Sequence, residues 1–248
     1  VLQNMDSNKE GVVSLSDLVN LTQIIQKWMT KSGVIGKEKV KTMKLKQVGE
    51  MRTKPNAKWM PFKAVQYFNI ENPAFIWKTE VEMIPLVSLL GRDKLFDGEG
   101  EILITLAGVV PVVNESKNYK IDSGSMLRFL AEICWSPSAA LNDYISWERV
   151  DDISAKATFI QKGTSVSGVF FFNSEGDLVS FKASRYYGGT KDAKLETWVV
   201  IMQSIKTLNG LRIPDKSDII WELSEGDFNW LHLEITDIQY NPSTQYKI

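Results

Sequence analysis

The sequence predicts a β-dominated α+β protein: a large curved antiparallel sheet of half-barrel form, with an N-terminal helix and one central helix packed on it. Three observations support this fold class. Apolar and polar residues alternate from about Val40 onward, turn residues separate the alternating runs, and two segments show helical spacing. A chain of 248 residues can bury a sizeable core. We predict a helical lead-in over residues 1–36 and one antiparallel β domain over residues 37–248.

The first helix is predicted to begin at a cap formed by Ser16 or Asp17 and to run to about Lys31. Gly33 and Gly36 end it, because glycine readily adopts the backbone conformation that terminates a helix. The apolar residues of this segment recur at helical spacing, and they are Leu18, Leu21, Ile25, Trp28 and Met29.

Strand signals follow, with a period of two over residues 40–51 and 75–81. Turn chemistry separates later runs: residues 173–177 (NSEGD) join two of them as a hairpin would, and Asn209-Gly210 is a tight-turn dipeptide. Sequential hairpins predict an antiparallel meander. The further predicted strands span residues 66–70, 101–107, 155–160, 166–173, 178–186, 198–205, 219–223 and 230–240.

One helix, over about residues 122–135, interrupts the strands and is expected to plug or cover the sheet. Asp122 or Ser123 can cap it, and Ser136-Pro137 stops it. One face of this helix is apolar and carries Met126, Phe129, Leu130 and Ile133.

The charge balance argues against a nucleic-acid partner. The chain has 29 Lys and Arg against 30 Asp and Glu, a net charge of -1, so no overall field favours phosphate backbones. The basic run over residues 37–46 alternates with apolar residues and is typical of the solvent side of a strand. No run of about 18 apolar residues exists to span a bilayer. The chain starts at Val1 without Met, so we expect that a leader or membrane anchor preceded it.

Catalytic and metal-binding motifs are scarce. His232 is the only histidine and Cys134 the only cysteine, too few for the usual zinc ligands, and His232 is the only histidine available as the base for a nucleophile. His232 alternates with polar residues, which indicates a surface or satisfied histidine. Residues 6–17 place oxygen side chains at calcium-loop spacing, but no entering helix or partner hand accompanies them, so we interpret them as a capped polar lead-in. We expect no catalytic residue, metal or cofactor.

Polar residues that share strand parity with apolar neighbours indicate where a site lies. Alternation places Arg185 on the same face of the sheet as Val179, Phe181 and Ala183. Gln66 and Gln47 likewise share a face with apolar residues of their own strands. An unpaired buried charge is costly, so either each has a structural partner or the inner face lines a cavity. Sequence leaves both interpretations open.

The central helix brings Arg128, Glu132 and Trp135 onto one face at i, i+4 and i+7. If exposed, the ion pair contributes only about 0.3 to 0.5 kcal/mol. If buried, Glu132 neutralises Arg128 or the inward Arg185, and the group becomes a polar site.

Several short segments together resemble a bacterial family of uncharacterised proteins, a domain of unknown function. The resemblance extends from about Leu15 to Asn241. It implies no activity, although such proteins often carry membrane-spanning segments upstream. The strand pattern is also similar to bacterial lipoprotein carriers, whose curved sheet closes around a helix and holds acyl chains, but nothing here identifies a docking surface. The segments are residues 32–37, 59–62, 66–67, 91–93, 128–132, 135–137, 210–214 and 225–228.

These observations lead to a functional hypothesis of non-catalytic binding of a lipid or other apolar ligand in a sheet-enclosed cavity. We expect a membrane-associated, extracytoplasmic location in a bacterium. One alternative is a hydrolase or isomerase that uses Glu132 with Arg128, and another is a structural or interaction domain. The expected polar contacts are Gln66, Arg128, Glu132 and Arg185, and the expected apolar lining is Trp59, Phe62, Phe75, Trp77 and Trp135.

Overall fold

The computed structural model of the chain describes residues 11–84, 87–188 and 192–242. Two α-helices occur in these ranges, α1 (Gln23–Ser32) and α2 (Tyr119–Glu132). The thirteen strands are β1 (Thr42–Met51), β2 (Met60–Asn69), β3 (Ala74–Ile84), β4 (Val87–Phe96), β5 (Glu99–Leu106), β6 (Val110–Ser116), β7 (Ile145–Arg149), β8 (Ser154–Gln161), β9 (Thr164–Phe172), β10 (Leu178–Tyr186), β11 (Leu195–Leu208), β12 (Leu211–Leu223) and β13 (Gly226–Tyr240).

All thirteen strands form one antiparallel sheet in the order β6-β5-β4-β3-β2-β1-β13-β12-β11-β10-β9-β8-β7. The chain lays down a first wing, β1 to β6, from the centre to one edge. It then crosses through α2 and returns from the other edge as a second wing, β7 to β13, until β13 pairs with β1. The predicted fold class, a curved half-barrel meander with two helices, is confirmed.

Helix α2 packs on the concave face and contacts both wings, β4 and β5 on one side and β8, β9 and β10 on the other. Phe129 is fully buried at this junction, with ring centroids 6.1 Å from Phe68 of β2 and 5.3 Å from Phe159 of β8. Aromatic pairs at these separations stabilise a core beyond the area they bury. The helix therefore joins the two wings of the sheet.

Helix α1 fills one end of the concave face. It packs near β8 and β12, and its Trp28 lies 6.4 Å from Phe170 and 5.9 Å from Phe172, between ring centroids. Gly33 ends the helix with φ of 78°, as the sequence predicts. The segment before it differs from the prediction: residues 15–18 form a short 3-10 turn, and α1 starts only at Gln23.

Helix α2 begins earlier than predicted because Asn118, rather than Asp122 or Ser123, caps it. The Asn118 side chain accepts a hydrogen bond from the Lys120 amide at 3.0 Å. Asp122 instead accepts one from the backbone amide of Gly100 on β5. Residues 133–135 continue as a 3-10 turn, so the predicted C-terminal limit holds although the helix type changes.

The sheet has one close backbone approach that requires glycine. A Cβ added at Gly49 of β1 would lie 1.9 Å from the carbonyl oxygen of His232 on β13 and 2.8 Å from the Phe62 ring. No side chain fits between these atoms, so glycine here allows the two wings to meet at β1 and β13. The first five residues of the calcium-like segment 6–17, residues 6–10, lie outside the described residues. The last residue of this segment, Asp17, accepts a hydrogen bond from the Ser14 backbone amide at 2.8 Å.

Candidate functional site

A cavity of about 550 Å³ lies between α2 and the concave face of the sheet. Sites for small ligands typically occupy about 300 to 1,000 Å³. The walls are largely apolar, with contributions from both wings that include Val81, Leu89, Ile104, Val200 and Leu231. The cavity lies at the end of the sheet opposite to α1, where β3, β10 and β12 finish and β4 and β13 begin.

The cavity has a charged wall, supplied by α2 and β4. Arg128 donates a hydrogen bond from Nε to Glu132 at 2.9 Å and another from Nη1 to Asp93 at 2.7 Å. The three side chains are mostly buried, with exposed fractions of 16% for Arg128, 12% for Glu132 and 23% for Asp93. One arginine therefore binds two carboxylates, and the question of an exposed or a buried Arg128–Glu132 pair is decided in favour of burial.

Hydrogen bonds extend this cluster across the first wing. Gln66 Nε2 donates to Glu132 at 2.8 Å, and Gln47 Nε2 donates to Gln66 Oε1 at 3.2 Å. The indole Nε1 of Trp77 completes the chain by donating to Gln47 Oε1 at 2.6 Å. Gln66 and Gln47 are buried on the inner face, as strand parity predicts, and both have the structural partners that burial requires.

Burial changes the ionisation of this cluster. Desolvation raises the pKa of Asp93 and of Glu132, and the attraction of Arg128 only partly offsets it. Desolvation also opposes the charge of Arg128, but the two carboxylates outweigh it and raise the pKa of that guanidinium. The cluster thus couples three ionised groups whose charges depend on one another.

Arg185 lies on the second wing and also lines the cavity. Its guanidinium stacks 4.6 Å from the Trp198 ring centroid and 5.8 Å from that of Trp221. Burial, together with repulsion from Arg128, lowers the pKa of Arg185 to about 10, so it stays charged at neutral pH. Val179, expected on the same face, is instead exposed, because a bulge between Leu178 and Ser180 reverses the parity there.

The predicted site residues divide into two groups. Trp77, Arg128, Glu132, Trp135 and Arg185 line the cavity, and Gln66 contacts it through Glu132. The remaining predicted residues, Trp59, Phe62 and Phe75, are not among those that line the cavity. Phe62 and Phe75 are buried in the core beside Trp77 and Phe68, and Trp59 contacts Arg52, which does line the cavity.

Trp59 belongs to a stacked group that the strand pattern does not reveal. Its ring centroid lies 4.3 Å from that of His232 and 4.5 Å from the Arg52 guanidinium. His232 Nδ1 is 2.6 Å from Asp218 Oδ1, so it is a satisfied surface histidine, as predicted. Trp59 precedes β2, where alternation no longer fixes the direction of a side chain.

The cavity residues that were not predicted include Asp93, Trp198 and Trp221. Asp93 lies on β4. The sequence does not predict this strand, because its charged and apolar residues do not alternate regularly. Trp198 and Trp221 lie on predicted strands and share parity with inward residues such as Val200 and Ile219, so strand parity could have found them. Within the described ranges, no three potential metal ligands cluster.

The model of a family of unknown function, DUF6920, matches residues 19–240 of the chain. Two solved structures are similar over most of its length. A DUF1329 family protein from Desulfovibrio piger has a TM-score of 0.45 and 11% identity, covering 83% of this chain and 88% of that one. A putative outer membrane lipoprotein-sorting protein domain from Vibrio parahaemolyticus has a TM-score of 0.48 and 7% identity, covering 82% and 87%. No curated protein matches the chain.

Proposed function

The chain belongs to this family of unknown function, and from that premise we propose that it binds a lipid or another apolar ligand in the cavity, close to a membrane. The observation that carries the proposal is the cavity itself, an apolar space of about 550 Å³ with a charged group in its wall. A core that only stabilised the fold would be close-packed, with few voids larger than a water molecule.

The chemistry of the lining supports binding more than catalysis. Apolar side chains such as Ile102, Val200 and Leu233 would cover the hydrophobic part of a ligand, with Trp77 and Trp135 beside them. A few polar groups in an otherwise apolar site are the usual means of orienting a ligand. We assign this role to Arg185 and to the exposed part of the Arg128 cluster.

The first experiment is mass spectrometry of an organic extract from gently purified protein, compared with the same extract from Arg185→Ala. We expect a stoichiometric lipid from the wild type and its loss from the variant, because the variant removes a charged contact at the cavity wall. Arg149→Ala is the matched control, since Arg149 lies on the surface and pairs with Asp152. Clean extracts from wild type and variants would argue against stable binding. Unfolding of Arg185→Ala with unchanged ligand content would indicate a structural pair instead.

Exposed apolar residues near the cavity support a membrane-proximal location. The tips of the β3–β4 and β5–β6 hairpins lie side by side at the cavity end of the sheet, because Leu89 pairs with Leu106. Several apolar side chains there are exposed, among them Ile84 at 60% and Val109 at 80%. Contiguous exposed apolar surface marks contact with a membrane or a partner. In the described part of the chain, no helix is long and apolar enough to cross a bilayer.

Vesicle binding tests this location. We expect the protein to co-sediment with phosphatidylethanolamine–phosphatidylglycerol vesicles, and the double variant Ile84→Asp/Val109→Asp to lose at least half of that binding, since a charge in the bilayer interface is unfavourable. Phe96→Asp is the control, because Phe96 is 64% exposed but lies at the β4–β5 turn, away from these tips. Equal binding by both variants would exclude the hairpin tips as the contact.

A hydrolase or isomerase is the second candidate, favoured by the raised pKa of Glu132 beside a cavity. Both oxygens of Glu132 already accept hydrogen bonds, from Arg128 and Gln66, so the carboxylate has little capacity left to take a substrate proton. Organic extracts without lipid from the wild type and both variants would favour an enzyme, because an enzyme holds its substrate only transiently.

A further inference from the structure

Arg128 and Arg185, two of the three arginines that line the cavity, share its carboxylates unequally. Arg128 contacts both carboxylates of the cluster, Asp93 and Glu132, at 2.7 and 2.9 Å. Among the described residues, no carboxylate lies within 4 Å of the Arg185 guanidinium, and the two carboxylates attract it only from a distance. Arg185 is therefore a charged group at an apolar cavity without a counterion in contact.

The packing around Arg185 holds it at the cavity wall. Trp198 and Trp221 cover it with their rings, an arrangement that stabilises a cation without neutralising it. From the other side α2 approaches through Gly124, where an added Cβ would lie 3.3 Å from Arg185 Nε. Glycine in the middle of a helix is less favourable than alanine, and at this position it makes room for the guanidinium.

Arg185 also retains donors for a ligand. A guanidinium has five N–H donors in a planar fork that matches carboxylate and phosphate oxygens. Within the described residues, no protein group accepts a hydrogen bond from the Arg185 guanidinium, so its donors remain for a ligand. Arg128, in contrast, already directs Nε and Nη1 at protein carboxylates, so it positions the cluster and has fewer donors to offer.

We propose that Arg185 is the receptor for an anionic head group, and that the ligand of the cavity is an anionic amphiphile such as a fatty carboxylate or an alkyl phosphate. This inference rests on the proposed function and narrows its ligand class. The apolar walls take the hydrocarbon chain, and the anion supplies a contact counterion for Arg185, which no carboxylate of the described residues provides.

Equilibrium dialysis of protein stripped of lipid tests the inference with three probes: dodecanoate, dodecan-1-ol and acetate. We expect wild-type protein to bind dodecanoate at least about tenfold more tightly than dodecan-1-ol, because a hydrogen-bonded charge pair in an apolar site favours the anion. Arg185→Gln should remove this preference and leave dodecan-1-ol binding within about twofold, whereas Arg149→Gln should retain the preference. Acetate should compete at least about tenfold more weakly than dodecanoate, since it lacks the chain.

The outcomes distinguish a failure of the anionic head-group proposal from a failure of the proposed ligand binding. Equal binding of dodecanoate and dodecan-1-ol by the wild type, or a preference that survives in folded Arg185→Gln, would overturn the anionic head group and leave apolar binding intact. Competition by acetate as strong as by dodecanoate would overturn the amphiphile. Binding of no probe would overturn the proposed function as well. The wild-type comparison remains decisive even if circular dichroism shows that Arg185→Gln does not fold.

Discussion

Replacement of Arg128 by methionine is expected to lower the free energy of unfolding by about 3 to 5 kcal/mol at neutral pH. The variant leaves Asp93 and Glu132 mostly buried without the guanidinium that binds both. Removing one partner of a buried ion pair is costly because the remaining charge keeps its desolvation penalty and loses its attraction. Urea unfolding followed by tryptophan fluorescence measures the change.

The deficit of Arg128→Met should depend on pH in a defined direction. Burial holds the folded-state pKa of Asp93 and Glu132 above the usual values of 3.8 and 4.5, and loss of Arg128 raises both further. A carboxyl group with a raised folded-state pKa destabilises the protein fully above that pKa, and the penalty fades as the pH falls towards the unfolded value. The deficit relative to wild type should therefore shrink between pH about 7 and about 4.

Two controls identify the cause. Arg149→Met removes an exposed ion pair with Asp152 and should cost no more than about 1 kcal/mol. The triple variant Arg128→Met/Asp93→Asn/Glu132→Gln removes all three charges and should recover part of the stability, because no buried charge is left unpaired. A deficit that is the same at every pH and persists in the triple variant would show that packing of the arginine, rather than charge, is responsible.

Replacement of Phe129 by alanine is expected to destabilise the protein by about 3 to 5 kcal/mol. Its ring is fully buried and lies within aromatic contact of Phe68, Tyr144 and Phe159. Truncation removes the transfer free energy of the ring and leaves a void between α2 and both wings of the sheet. Because the helix joins the wings, we expect one cooperative transition at lower urea concentration, with little change in its slope.

Phe96→Ala is the matched control for this prediction. Phe96 is 64% exposed at the β4–β5 turn, so its truncation should change stability by no more than about 0.5 kcal/mol. Similar losses for the two variants would contradict the assignment of Phe129 as the residue that joins α2 to the sheet. Two separate transitions in Phe129→Ala would show that the wings unfold independently.

The strand pattern anticipates most of the sheet and misses elements for identifiable reasons. Strands β1, β2, β3, β5 and β8 to β13 fall on predicted runs, often longer than predicted. Strand β4 carries Gly91, Arg92 and Asp93 in its middle, which breaks the alternation, and both of its neighbours are strands of the first wing. Strands β6 and β7 are the sheet edges, and these short strands carry many exposed residues and little inward periodicity.

Sequence by itself determined the fold class, the antiparallel meander and the inward direction of Gln47, Gln66 and Arg185, because a period of two assigns each side chain to a face. It also placed Arg128 and Glu132 on one helix face. Only the tertiary structure decided that Asp93 completes their cluster, that no carboxylate of the described residues contacts Arg185, and that Trp59 stacks on His232 and Arg52. These facts depend on which strands meet across the helix and on where bulges shift the register, and local periodicity contains no information about either.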